Sequence, residues 1–473
     1  MISLSLAEIA EIVGGRVSEA TAEHVVSAEP FHDSRAVVPG GLFVAVQGVH
    51  VDGHDYARAA VEAGAAAALT ERAVGVPAVV VDSPVDALGL LTTAVLERLP
   101  HLRVIGITGS QGKTSAKDML AQILESVGET VATAGNLNTE IGVPMTALRA
   151  TPQTRFLVVE MGARGRGHIG YLASMVSPSV GVVLNVGVAH LSEFGSKDRI
   201  AEAKGELIDA LPADGMAVLN ADDGLVAAMR RRTAARVATF GESGHADVQI
   251  SDLHADEQGR ARFRLSADGS RTDVALQLIG EHQAVNAAAA ATVALELDVG
   301  LTLGDVSSLL ARAVARSHWR MEPSTTPAGV VVLNDAYNAN PDSVRAALKT
   351  LVGISQLRAG ARSFAVLGEM LELGETSVAE HDAVGRLVAE LGVSQLVVVG
   401  EGARGIERSA AAEGGSGSQP VYVPDADAAI GYLHAAVRRD DVVLVKASRA
   451  TGLESVATAL ADATGPGVGG DDR

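Results

Sequence analysis

The run Val104-Ile105-Gly106-Ile107-Thr108-Gly109-Ser110-Gln111-Gly112-Lys113-Thr114 passes from an apolar strand through a glycine turn into a segment with apolar residues at Met119, Leu120, Ile123, Leu124 and Val127. Glycines let successive backbone N–H groups converge on one anion, and the N-terminus of the following helix adds partial positive charge. In such a loop Lys113 reaches the terminal phosphates of a nucleotide, and the Thr114 hydroxyl ligates a magnesium ion. The strict G-x-x-x-x-G-K-[ST] pattern would place its first glycine at Ile107, so the loop is a variant, T-G-S-Q-G-K-T. Its expected chemistry is ATP binding, with Gly109, Ser110, Gln111, Gly112, Lys113, Thr114 and Ser115 as the cradle. The helix behind it is expected to end at Gly128.

Three further residues stand where this chemistry can use them. Glu160 ends the apolar strand Phe156–Glu160, where an acid can hold Mg²⁺ beside phosphates or simply be solvated. His190 follows the strand Val180–Leu184 and a glycine turn, and reads either as a structural histidine or as a metal ligand. Lys204 lies on a helix expected over Asp198–Leu211, on the same stripe as Ile200, Leu207, Ile208 and Leu211. A lysine turned inward is costly as a cation, and burial drives it toward the neutral amine. A neutral amine can add CO₂ to give an anionic carbamate; the alternative is a snorkelling lysine paired with a nearby Glu.

Several longer segments share a pattern with a known family. They are Gly135–Pro144 (GNLNTEIGVP), Glu160–Ala163 (EMGA), Asn185–His190 (NVGVAH), Ala203–Glu206 (AKGE), Asn334–Ser343 (NDAYNANPDS) and Val366–Gly374 (VLGEMLELG). With the phosphate loop they resemble the Mur ligases, from about residue 33 to about residue 454, and among these the branch that adds a dipeptide. The resemblance implies an ATP-dependent amide-forming ligase of peptidoglycan synthesis, working through an acyl phosphate. Its substrates would be UDP-N-acetylmuramoyl-tripeptide and D-alanyl-D-alanine, its cofactors ATP and two Mg²⁺ ions. It further implies that Lys204 is carbamylated and that Thr114, Glu160, His190 and Lys204 hold metal. Catalysis would rest on Lys113, Lys204, His190, Glu160 and Asn338. Asn286 would read the adenine edge, although Gln283 replaces an asparagine of the family pattern; Arg320 would approach the phosphates and Asp335 the ribose. Asn136, Asn138, Thr139, Tyr337, Asn340, Lys446 and Ser448 would face the substrates, and Ser34 and Arg35 the UDP part. Asn340 also fits an ordinary helix entry before Pro341, and Asp52-Gly53-His54 is either a family segment or a turn. Rival readings are the Mur ligase adding the third peptide residue, a folylpolyglutamate synthase, an ATP-binding switch module and a phosphotransferase.

The elements that must position these groups read as α/β throughout, with short β-branched runs alternating with Ala/Leu-rich helices. At about 150 residues per domain, 473 residues predict about three. Residues 1–101 are expected to form a smaller α/β substrate domain with strands Leu42–Val46 and Ala78–Val81 and a helix over Tyr56–Ala63. Residues 102–317 form a central phosphate-loop domain with a parallel sheet over Arg103–Thr108, Phe156–Glu160, Val180–Leu184 and Met216–Asn220. Residues 318–473 form a Rossmann-like domain with strands Val330–Asn334, Ser363–Leu367, Leu396–Val399 and Val442–Lys446. Glu413–Pro420 reads as a surface loop, and the chain from Thr464 as a disordered tail.

Composition narrows the function classes. The formal charge of −19 disfavours a nucleic-acid partner, because the mean field repels a phosphate backbone. Anionic substrates then need clustered cations, and only six of the 38 basic residues are lysines, Lys113, Lys204 and Lys446 among them. No apolar run reaches the roughly 18 residues of a membrane span, and the opening segment lacks a basic n-region. With no cysteine, thiolate metal sites and cysteine nucleophiles are excluded. The expectation is a cytoplasmic monomer.

Overall fold

A computed structural model of the protein describes residues 1–48, 51–135, 137–187, 194–414 and 419–462. Asn136, His190, the middle of the expected 413–420 loop and the tail lie outside the described residues. Among the described residues the main strands form sheets of four, nine and six strands, in chain order.

The first sheet runs Arg16–Ser18, Ala78–Val80, Ala67–Thr70, Leu42–Val44, antiparallel at the first pair and parallel after it. Its long helix, Pro84–Glu97, starts where Ser83 accepts from Asp86 N and Pro84 fills the first turn. The expected helix over residues 56–63 is a 3₁₀ turn, Gly53–Tyr56, followed by an α-helix, Ala57–Glu62. Asp52 caps that turn by accepting from His54 N, and buried His54 accepts from Glu71 N, which gives this segment a structural role.

In the central sheet the parallel strand Arg103–Thr108 lies between Val180–Val183 and Phe156–Glu160. These runs are buried on both faces, as a parallel sheet covered by helices requires. Register pairs Ile107 with Glu160, so the start of the phosphate loop and the acid emerge side by side at the carboxyl edge, where open α/β sheets take ligands. The helix Lys113–Leu124 packs its apolar side into this core. It ends at Leu124, not at Gly128: the Ser126 hydroxyl and the backbone close successive turns there before Gly128 N donates to Leu124 O. The helix carrying Lys204 is Lys197–Asp209, capped by Ser196, and Leu211 lies beyond it yet still buried. An arm not expected from the sequence extends the sheet, Val248–Ala255, Arg260–Ala267 and Ser270–Ile279, with antiparallel pairing along its last two ladders.

The third sheet runs Glu322–Thr325, Val331–Asn334, Val442–Lys446, Ser363–Leu367, Gln395–Val399, Val421–Val423, parallel except at its first pair. Register places Asn334 against Val445, so Asp335 and Lys446 leave neighbouring strand ends together. Helix Pro341–Leu357 opens with a capping box between Asn340 and Ser343 and a proline in its first turn.

Candidate active site

The carboxyl edges of the central and third sheets face one cleft of about 610 Å³. From the central unit it is lined by Gly109 through Ser115, Asn138, Thr139, Glu160, Lys204 and Asn286. From the third come Arg320, Asp335, Tyr337, Asn338, Asn340, Lys446 and Ser448. Ser34 and Arg35 are not among its lining residues. The exposed Arg35 guanidinium is forked onto Asp33, with Nη2 at 2.7 Å and Nε at 2.9 Å.

Glu160 is the hinge of the central wall. Its side chain is buried, Oε2 accepts from the Thr114 hydroxyl at 2.8 Å, and Oε1 accepts from Asn138 Nδ2 at 2.8 Å. Its backbone N donates to Thr133 Oγ1, which fixes the strand end. Lys113 Nζ donates to Gly109 O at 2.8 Å, and burial pushes its amine below the ordinary lysine value against the pull of Glu160. Asn185 braces the loop: Oδ1 accepts from Ser110 N and Gln111 N, and Nδ2 donates to Gln111 O. The sequence reading did not single Asn185 out, although it follows an apolar strand just as Glu160 ends one.

Lys204 is 6% exposed and lines the cleft. Burial, reinforced by Lys113, drives its amine well below the lysine range. Among the described residues it has no carboxylate partner.

Gly112 sits at φ +82°, and a Cβ there would come within 2.2 Å of Asn286 Oδ1. Asn286 therefore packs against the loop backbone while its Nδ2 donates to Gln283 Oε1. The residue that departs from the family pattern, Gln283, is thus the partner that orients Asn286.

On the third wall, Asp335 accepts from Met321 N at 3.1 Å and from Lys446 Nζ at 2.6 Å. Lys446 also donates to Asn338 O, and burial lowers its amine although Asp335 opposes the shift. Asn340 Oδ1 accepts from Ser343 N, so this oxygen serves the helix cap. Ser448 Oγ accepts from Leu371 N. Arg320 Nη2 reaches Thr114 Oγ1 at 3.4 Å across the cleft, and its guanidinium lies over the Tyr337 ring at 4.0 Å. Its Nε is buried with no hydrogen-bond partner among the described residues, which suits a donor to an anion. Burial raises the Tyr337 phenol.

A helix N-terminus at Lys113, two cations and an acid–hydroxyl pair suit a nucleotide triphosphate with Mg²⁺. Among the described residues no three His, Cys, Asp or Glu could cage a metal by themselves.

Family models match along the chain: the Mur ligase family, catalytic domain over residues 31–104, the Mur ligase middle domain over 107–294, and the Mur ligase, glutamate ligase domain over 319–449. The chain is 47% identical to the UDP-N-acetylmuramoyl-tripeptide–D-alanyl-D-alanine ligase of Mycobacterium tuberculosis (strain ATCC 25618 / H37Rv), across 97% of this chain and 98% of that one. It is similar to a crystal structure of MurF from Acinetobacter baumannii, with a TM-score of 0.86 and 30% identity over 98% of this chain and 100% of the other. It is also similar to the MurF ligase from Thermotoga maritima in complex with ADP, with a TM-score of 0.77 and 30% identity, covering 92% and 97%.

Proposed function

The chain belongs to the Mur ligase family, and from that premise we propose that it joins D-alanyl-D-alanine to the tripeptide carboxylate of UDP-N-acetylmuramoyl-tripeptide while ATP becomes ADP and phosphate. The observation that carries the reading is the single cleft in which the phosphate loop and Glu160 meet Arg320, Asp335 and Lys446 from the opposite sheet.

In this reading the N-terminus of helix Lys113–Leu124, with the loop amides that Asn185 does not engage, binds the nucleotide phosphates. A carboxylate oxygen of the tripeptide attacks the terminal phosphorus, ADP leaves, and an acyl phosphate remains. The neutral amine of D-alanyl-D-alanine then attacks the acyl carbon, the amide forms, a proton is released, and phosphate departs. Both steps concentrate negative charge, and Lys113 and Arg320 are placed to stabilise it. Asp335 fixes Lys446 and the backbone next to Arg320, which keeps the third wall rigid while the substrates align.

Mg²⁺ would be held by Thr114 and Glu160, with a second ion at His190 and a Lys204 carbamate, and when bound it supplies charge neutralisation at the phosphates. The Lys204 amine suits that modification: it is buried, shifted toward neutrality and free of a carboxylate partner among the described residues. Addition of CO₂ to this amine releases one proton and leaves an anion where a cation would be repelled by Lys113. Ser34 and Arg35 are assigned to the UDP end of the substrate, and the reaction to the cytoplasm.

Phosphate release discriminates the substrates. Turnover is expected with D-alanyl-D-alanine plus UDP-N-acetylmuramoyl-tripeptide and not with meso-diaminopimelate plus UDP-N-acetylmuramoyl-dipeptide. The reverse pattern would move the chain to the enzyme adding the third residue, and ATP turnover indifferent to both pairs would make it a nucleotide switch.

A further inference from the structure

Arg320 reaches Thr114 from a backbone in an uncommon state. The residues on either side of it, Trp319 and Met321, have φ of +58° and +52°. A left-handed conformation is unfavourable for bulky L-residues and persists only where surroundings enforce it. Backbone contacts supply part of that enforcement. Met321 N donates to Asp335 Oδ1 at 3.1 Å, Tyr337 N donates to Trp319 O at 3.3 Å, and Trp319 N donates to Glu322 Oε2 at 2.9 Å. The side chain supplies the rest: the Arg449 guanidinium carbon lies 3.9 Å from the centre of the Trp319 ring. Arg449 is itself held by Glu454 at 2.8 Å and sits in the turn just after the strand that carries Lys446. The stack thus ties the strained turn to the strand end that builds the third wall.

We propose that Trp319 is a positioning residue for phosphoryl transfer: its stack on Arg449 holds the Trp319–Met321 turn in the left-handed state that aims Arg320 across the cleft at the nucleotide phosphates. The inference rests on the ATP-ligase reading of the cleft. Arg320 meets charge that develops during reaction, so loosening its mount lowers kcat more than it weakens substrate binding.

Trp319 is the only tryptophan in the chain, so the emission of the whole protein reports this ring. Arg449→Ala is expected to change the position or intensity of that emission. Trp319→Ala is expected to lower kcat about 10- to 100-fold, the scale of a small misplacement of a catalytic group, with KM for ATP and for the UDP-linked substrate within about twofold. Trp319→Phe, which keeps a ring over Arg449, should recover most of the loss. Trp319→Gly accepts the positive φ without strain but lacks the ring, and should behave like the alanine variant. Full kcat in the glycine variant, an equal loss in kcat and in the melting temperature for all three substitutions, or emission indifferent to Arg449 would each overturn the proposal. If the unmodified protein released no phosphate, the ligase reading itself would fall, whereas the emission measurement decides the stack without turnover.

Discussion

Lys113 and Lys204 show how one residue type takes two characters in one cleft. Lys113 has Gly109 O as an acceptor and Glu160 as an opposing charge, so it keeps a use as a cation. Lys204 has burial and a like charge acting together, and both lower its amine. Lys113→Ala is expected to lower kcat for phosphate release by roughly 10²–10³, the range for losing one donor to developing charge. Lys204→Ala should abolish turnover and regain part of it when short carboxylic acids are added to stand in for the carbamate. Unchanged turnover in that variant, with no response to the acids, would contradict the modification.

Elements decide whether such residues meet, and the loop depends on one backbone position. Gly112→Ala places a methyl into Asn286 at φ +82°, so a loss of about 1–3 kcal/mol is expected from backbone strain alone, together with weakened binding of an ATP analogue. Urea midpoints and a nucleotide titration measure the two effects. Much of this arrangement is legible in the sequence. The phosphate loop announces itself because strand, glycines, Lys113 and Thr114 are contiguous, and Lys204 because helical periodicity puts it among Ile200, Leu207 and Ile208. The antiparallel arm is not legible in the same way. Its exposed face alternates Arg260, Arg262 and Arg264, which read as solvated charges until they pair with Asp256, Asp252 and Asp273 from neighbouring chain segments. Asn185 and Trp319 are hidden for a related reason: what each does is fixed by a partner remote in sequence, Ser110 in one case and Arg449 in the other.

Across the whole molecule, polar contacts join the units. One such contact joins the first unit to the centre: Tyr171 of helix His168–Val176 donates to Asp86 Oδ1 at 3.0 Å. Burial first, and this hydrogen bond second, push the phenol up to about 12 from an ordinary value of 10.0. Unfolded, the phenol loses its proton near 10.0 while the folded one keeps it, so between these values the folded state binds more protons. The contact is therefore intact below pH 10 and its contribution falls as pH rises toward about 12. Tyr171→Phe should remove the highest phenolate transition seen by ultraviolet absorbance and flatten the alkaline loss of stability; a transition that survives the substitution would reassign it. The cleft between the central and third sheets is the larger dependence, because an acyl phosphate is useful only if its formation and its capture occur in one place. Isotope transfer tests this directly. With UDP-N-acetylmuramoyl-tripeptide labelled with ¹⁸O in its free carboxylate, ATP and D-alanyl-D-alanine, mass spectrometry should find the pentapeptide product and one ¹⁸O in the released phosphate. Unlabelled phosphate, or phosphate formed without the amide, would contradict ligation through an acyl phosphate.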